Sequence, residues 1–145
     1  MKISTKGRYG LRTLMDIARH QANGPVNLQD IAERQDLSPK YLWQIVNLLK
    51  TAGLVRGTRG PKGGYLLVRD PASISLLDVI QILEGPVNLV ECTDDPDFCP
   101  RANRCVAHSV WDEVSQAFRN SLQSISLEEI LRRHEAAGSA HHYVI

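Results

Sequence analysis

The chain has 145 residues, of which 43% are hydrophobic, with a formal net charge of +1. That suffices for one ordinary core, or for a small domain with an extension that packs on a partner. Three cysteines, an odd number, do not form a disulfide framework, and no run approaches the roughly 20 apolar residues of a membrane span.

The near-zero net charge conceals a division. Residues 1–70 carry 12 Lys and Arg against 5 Asp and Glu, a balance of +7, while residues 71–145 carry 5 against 11, a balance of −6. A basic half suits a phosphate backbone. The acidic half is repelled by one and is better used for association or sensing. The N-terminal stretch Met1 to Gly10 lacks the apolar run of a signal peptide, so a cytoplasmic location with reduced thiols is expected.

In chain order, the spacing of Tyr9, Thr13, Leu14, Ile17 and Ala18 predicts a helix from Thr5 to Gln21, ended by Asn23-Gly24-Pro25. Asn27 as a cap, with Asp30 three places on, opens a short second helix that closes near Asp36. Ser38-Pro39 supplies a cap and an N-terminal proline for a third helix, whose Leu42, Ile45, Val46 and Leu49 face a core before Gly53. Helix, three-residue turn, helix is the result. Leu54–Arg56 and Tyr65–Val68 are β-prone runs around Gly57 to Gly64, a stretch whose four glycines and proline fit a hairpin tip. In such a winged helix-turn-helix the third helix enters the major groove. Its Ser38, Lys40, Tyr41 and Gln44 face base edges, and Arg59 and Lys62 at the wing tip reach the backbone or minor groove. Lys6 and Arg8, near the start of the first helix, are further phosphate contacts. A phosphate loop requires Lys followed by Ser or Thr and then a helix; Lys62 is followed by Gly63 and a strand. No nucleophile, base and orienting group cluster in the sequence, and no enzyme is expected.

In the second half, Ser75-Leu-Leu-Asp78 is a capping box for a short helix that stops at Gly85-Pro86. A long helix from about Asn103 carries Val106, Val110, Trp111, Val114, Ala117, Phe118 and Leu122 on a broad apolar face. Such a face needs a cover, either a twin helix from a second copy or the chain's own first half. Trp43 also has two readings, DNA contact or packing at the helix edge. A last helix, Ser126 to Glu135, precedes a tail with His141 and His142.

All three cysteines, Cys92, Cys99 and Cys105, fall in one loop, with His108 three places past the last. Cys105 and His108 share a face at a helix start, where the positive end of the helix dipole favours a thiolate. Three thiolates and an imidazole satisfy the four terminal positions of a 2Fe-2S cluster, and with a different fourth ligand the three thiolates suit a 4Fe-4S cluster. The same set is also a structural zinc site. Asp94, Asp95 and Asp97 read as a solvated stretch that repels DNA.

Ser4-Thr-Lys-Gly-Arg-Tyr9, Ile31-Ala-Glu-Arg-Gln35, Ser38-Pro-Lys-Tyr-Leu42 and Arg59-Gly-Pro-Lys-Gly-Gly-Tyr-Leu66, together with the three cysteines, resemble the Rrf2 family of transcription regulators over about residues 1 to 135. The resemblance implies a homodimeric, winged-helix repressor or activator of double-stranded promoter DNA. It further implies an iron-sulfur cluster, control of cluster-assembly genes, and delivery of the cluster by iron-sulfur assembly proteins. Its cluster ligands are carried over to Cys92, Cys99, Cys105 and His108. Two features depart from the pattern: six residues rather than five separate Cys92 from Cys99, and Trp43 stands where relatives often have an acid.

The expected architecture is thus mainly α, a winged helix-turn-helix with a small β-hairpin wing and a long C-terminal dimerisation helix. Residues 1–70 form the DNA-binding domain and 71–90 a connector helix and loop. Residues 91–108 form the cluster-binding loop, 103–135 the dimerisation and final helices, and 136–145 a flexible tail.

Overall fold

The computed structural model describes residues 1–141, with side chains through Gly138. Six helices and one hairpin follow in the order α1 (Thr5–His20), α2 (Leu28–Gln35), α3 (Pro39–Thr51), β1 (Val55–Thr58), β2 (Gly64–Leu67), α4 (Leu76–Glu84), α5 (Val106–Gln123) and α6 (Leu127–His141).

The ends of these helices are set by the residues that begin them. Asn27 accepts a hydrogen bond from the Gln29 amide at 2.7 Å, and Ser38 accepts one from the Tyr41 amide at 3.2 Å, with Pro39 in the first turn. Each satisfies an amide that the helix itself leaves unpaired. Ser75 and Asp78 form the full reciprocal capping box of α4. Asp36 takes a left-handed φ of 54° at the end of α2, and Asp36, Leu37 and Ser38 make the turn into α3.

The wing is antiparallel, with Val55 opposite Leu67 and Thr58 opposite Gly64. A third backbone segment joins it where the Val26 and Tyr65 amides and carbonyls exchange bonds of 2.9 and 2.8 Å. Gly64 permits that approach. A Cβ at that position would lie 2.3 Å from the Val26 carbonyl oxygen. β1 starts one residue and ends two residues later than the sequence expectation, and β2 lies one residue earlier. The Leu54 amide closes the end of α3 by bonding the Leu49 carbonyl, so the ladder proper starts one residue later.

Leu14 and Ile17 of α1, Ile31 of α2, and Leu42, Ile45, Val46 and Leu49 of α3 form one core, joined by Leu54 and Val55. That core does not close at residue 70. Ile74, with Val79 and Leu83 of α4 and Leu127 of α6, belongs to the same cluster. Paired bonds of 2.8 Å, from the Leu76 amide to the Ile125 carbonyl and from the Leu127 amide to the Ile74 carbonyl, return the chain to it after α5. The connector helix is therefore part of the head.

Helix α6 runs to His141, six residues beyond the expected end at Glu135 and into the stretch expected to be a tail. Ala136 and Ala137 favour helix, and the single Gly138 costs only about 1 kcal/mol. His142 lies outside the described residues. Among those residues no helix is long and apolar enough to cross a membrane.

Candidate nucleic-acid interface and thiol loop

Helix α3 buries Leu42, Ile45, Val46 and Leu49 and turns Ser38, Lys40, Trp43, Gln44, Asn47 and Thr51 to solvent. This outward stripe has the spacing of a single helix face. Ser38, Lys40 and Gln44 are exposed on it. Tyr41 is half-buried, its ring edge-on to Tyr9 of α1 with centroids 6.2 Å apart. Trp43 is 53% exposed, so it does not pack inside this chain.

Lys6, in the first turn of α1, lines a shallow cleft with Trp43, Gln44, Asn47, Leu48 and Thr51. It thereby adds a positive charge to the edge of the α3 face. Arg8 is exposed, its guanidinium 5.8 Å from the centre of the Tyr9 ring. Arg59 and Lys62 of the wing line different clefts. Arg59 shares a cleft of about 350 Å³ with Asn27 and Lys50, whereas Lys62 borders a second hollow with His20, Gln29 and Arg34. Asn47 and Lys50 were missed by sequence motif. The exposed positions of α3 between its buried ones identify both.

Two ties fix how α1 stands against its neighbours. The Asp16 side chain is fully buried; Arg34 donates to it at 2.7 Å from Nη2 and 3.0 Å from Nε, and Gln35 Nε2 donates at 2.9 Å. Burial pushes this carboxyl up, but the hydrogen bonds from Arg34 and Gln35 and the charges of Arg34 and His20 outweigh it and hold the group below the usual carboxylate range. The second tie is Glu84, the last residue of α4. Its Oε1 accepts from the Ser4 amide at 2.8 Å, the Gly7 amide at 3.1 Å and the Ser4 hydroxyl. The Ser4 hydroxyl bond above all keeps its carboxyl below the usual range.

The thiol loop is a series of short turns between α4 and α5, with one-turn 3-10 segments at Glu91–Thr93 and Ala102–Arg104. All three cysteines are free and partly exposed. Cys105 caps α5, its Sγ accepting from the His108 amide at 3.4 Å. His108 Nε2–H donates to the Cys92 carbonyl at 2.9 Å, which brings the beginning of the loop onto the first turn of α5. A carbonyl only accepts, so in the neutral ring the lone pair lies on Nδ1. The Cys99 carbonyl accepts from the Ala102 amide at 3.1 Å. The loop is moored behind by Arg119 of α5, which donates to the Val87 carbonyl at 3.1 Å and to the Asn88 side chain; Asn88 in turn donates to Asp94 at 2.7 Å.

The donor set fits a soft or borderline metal centre: three accessible thiols and an imidazole with a usable ring nitrogen. The geometry is not assembled for one. Among the described residues no three Cys, His, Asp or Glu side chains come together closely enough to hold a metal ion.

A winged helix-turn-helix with a basic, solvent-facing α3 defines a DNA-binding transcription regulator. The chain belongs to the Rrf2 family: residues 3–133 match the family described as iron-dependent transcriptional regulator. It is 40% identical over 135 residues to the HTH-type transcriptional regulator IscR of Xenorhabdus nematophila, covering 93% of this chain and 82% of that protein. It is 38% identical over 132 residues to Protein rrf2 of Nitratidesulfovibrio vulgaris, covering 91% of this chain and 88% of that protein. Among solved structures, T. potens IscR superposes with a TM-score of 0.75 at 42% identity, covering 94% of this chain and 90% of that one. CymR, the global cysteine regulator of B. subtilis, also gives 0.75, at 38% identity with 92% and 98% covered. These relatives are regulators rather than enzymes.

Proposed function

We propose that this chain is an iron-sulfur cluster-sensing regulator, binding duplex promoter DNA as a homodimer in the cytoplasm and controlling cluster-assembly genes. The observation that carries the sensing role is the thiol loop itself. Every cysteine of the chain lies there, and Cys105 and His108 form the first turn of α5.

Cys92, Cys99, Cys105 and His108 are the residues to hold the cluster. When bound, a 2Fe-2S centre supplies a labile, redox-active group whose occupancy reports cluster supply. Since the four donors are not gathered, holding one centre requires the loop to rearrange around the start of α5. Assembly proteins deliver the cluster in this reading.

The dimer is supported by α5. Val106 is 80% exposed, and Val110, Trp111 and Val114 are 44–50% exposed, a stripe that a second copy can cover. On DNA, Ser38, Lys40 and Gln44 read base edges from the face of α3, with half-buried Tyr41 supporting that face. Trp43 on the same face suits the apolar contact that a thymine methyl offers. Lys6, Arg8, Arg59 and Lys62 contact phosphate or, from the wing, the minor groove.

The same donor types support a second reading, a winged-helix DNA-binding regulator with a structural zinc site and a different signal; zinc would need the same rearrangement of the loop. Anaerobic isolation separates the two. Iron with acid-labile sulfide, both lost in Cys92→Ala, is the expected result. Colourless protein with stoichiometric zinc overturns the cluster assignment, a 4Fe-4S spectrum corrects only the cluster type, and metal-free protein that no cluster donor loads leaves the different-signal reading.

A further inference from the structure

Glu84 does more than end α4. Helix α1 begins at Thr5 with Ser4 as its cap residue, yet Ser4 makes no side-chain cap of its own. Its hydroxyl and amide both donate to Glu84 Oε1, as does the Gly7 amide. Two of the open amides at the start of α1, those of Ser4 and Gly7, are therefore closed by a carboxylate from another helix, where the helix dipole also favours negative charge. The fit is tight. A Cβ on Gly7 would stand 2.5 Å from Glu84 Oε1, and a Cβ on Gly10, one turn on, 2.0 Å from Leu83 Cδ1.

The turn so held is the one that carries Lys6, and Lys6 lies beside Trp43, Gln44 and Asn47 on the exposed side of α3. On the other side, Glu84 is followed by Gly85 and Pro86 and then by Val87 and Asn88, which Arg119 of α5 holds.

We infer that Glu84 is a positioning residue for DNA binding: it fixes the first turn of α1 so that Lys6 meets the phosphate backbone at the edge of the α3 face. This rests on the DNA-binding reading of α3. It runs against simple electrostatics, in which an acidic side chain next to a DNA-contacting lysine only weakens binding. Reach should therefore matter more than charge.

Two substitutions separate reach from charge. Glu84→Asp keeps the charge but withdraws the oxygen from Ser4 and Gly7, whereas Glu84→Gln removes the charge and keeps an acceptor in place. The probe is a duplex selected by the wild-type protein from a random-sequence pool, with affinity measured across a salt series. Glu84→Asp is expected to bind about five- to tenfold more weakly at low salt, with the log–log salt slope shallower by about one, the loss of one phosphate contact. Glu84→Gln should stay within about twofold of the wild type. In a Lys6→Ala background, adding Glu84→Asp should change affinity by less than about twofold, because the contact it serves is already gone.

Unchanged binding by Glu84→Asp overturns the inference. So does markedly tighter binding by Glu84→Gln, or the full Glu84→Asp effect without Lys6. If the wild-type protein itself selects no duplex, the DNA-binding reading of α3 has failed instead.

Discussion

Asp16 illustrates a residue whose role follows from its partners. Its carboxylate lies inside the α1–α2 contact, and Arg34 and Gln35 reach it from the end of α2. Removing Arg34 leaves a buried charge short of donors, so Arg34→Ala is expected to lower the unfolding free energy by about 2–3 kcal/mol at neutral pH in denaturant titration. A change below about 0.5 kcal/mol would mean that the pair is dispensable. The pH dependence has a definite sign. The folded-state pKa is depressed, so the contribution is fully present above the unfolded carboxylate value of about 3.9 and is lost as pH falls through the lower folded value. The advantage of the wild type over Asp16→Asn should accordingly shrink below about pH 4. Nothing in the sequence marked this clamp. Helical periodicity identifies the stripe that includes Thr13, Leu14 and Ile17, but it says nothing of a partner 18 residues away. The exposure of Trp43 was equally open in sequence, since an aromatic at a helix edge packs or projects according to neighbours from other elements.

Helices were legible where a local signal sets them. Ser38-Pro39 and the Ser75/Asp78 box mark the starts of α3 and α4 because capping depends on residues within one turn. Strand limits moved by one or two residues because the bonds that close α3 and the ladder come from outside each strand, whereas α6 continued past Glu135 through the helix-favouring Ala136 and Ala137. The largest difference is α4, expected as a connector and found in the core. Glycines make that packing possible, and a hydrophobic pattern does not register a missing side chain. Leu83 fills the space over Gly10, where a Cβ would be 2.0 Å from its Cδ1. Gly10→Ala, despite its better helix propensity, is expected to lose about 1–3 kcal/mol in thermal or denaturant unfolding, since α1 and α4 must part. A gain in stability would show that the interface yields freely.

At the scale of the whole molecule, the division of charge follows the division of labour. The basic first 70 residues supply α3, the wing and Lys6, and the acidic remainder supplies the thiol loop and α5. Glu84 crosses that division by binding the start of α1. The cysteine spacing made the loop conspicuous in sequence, and the structure joins Cys105, His108 and the Cys92 carbonyl at the start of α5. Whether the three sulfurs converge was not legible, because convergence depends on turns between prolines that carry no periodic signal. They do not converge in this arrangement. Under the proposed function, the exposed stripe of α5 and the loop at its first turn would put sensing and pairing on one helix, and occupancy would then alter the spacing of two recognition helices. The decisive measurement is the affinity for DNA of cluster-loaded and metal-stripped protein under anaerobic conditions, with Cys92→Ala alongside, on duplexes selected by the protein in each state. Loaded and stripped wild type should differ by about tenfold or more on at least one duplex, with Cys92→Ala matching the stripped form throughout. Equal affinities for all three on every duplex would contradict a loop that senses and a head that responds.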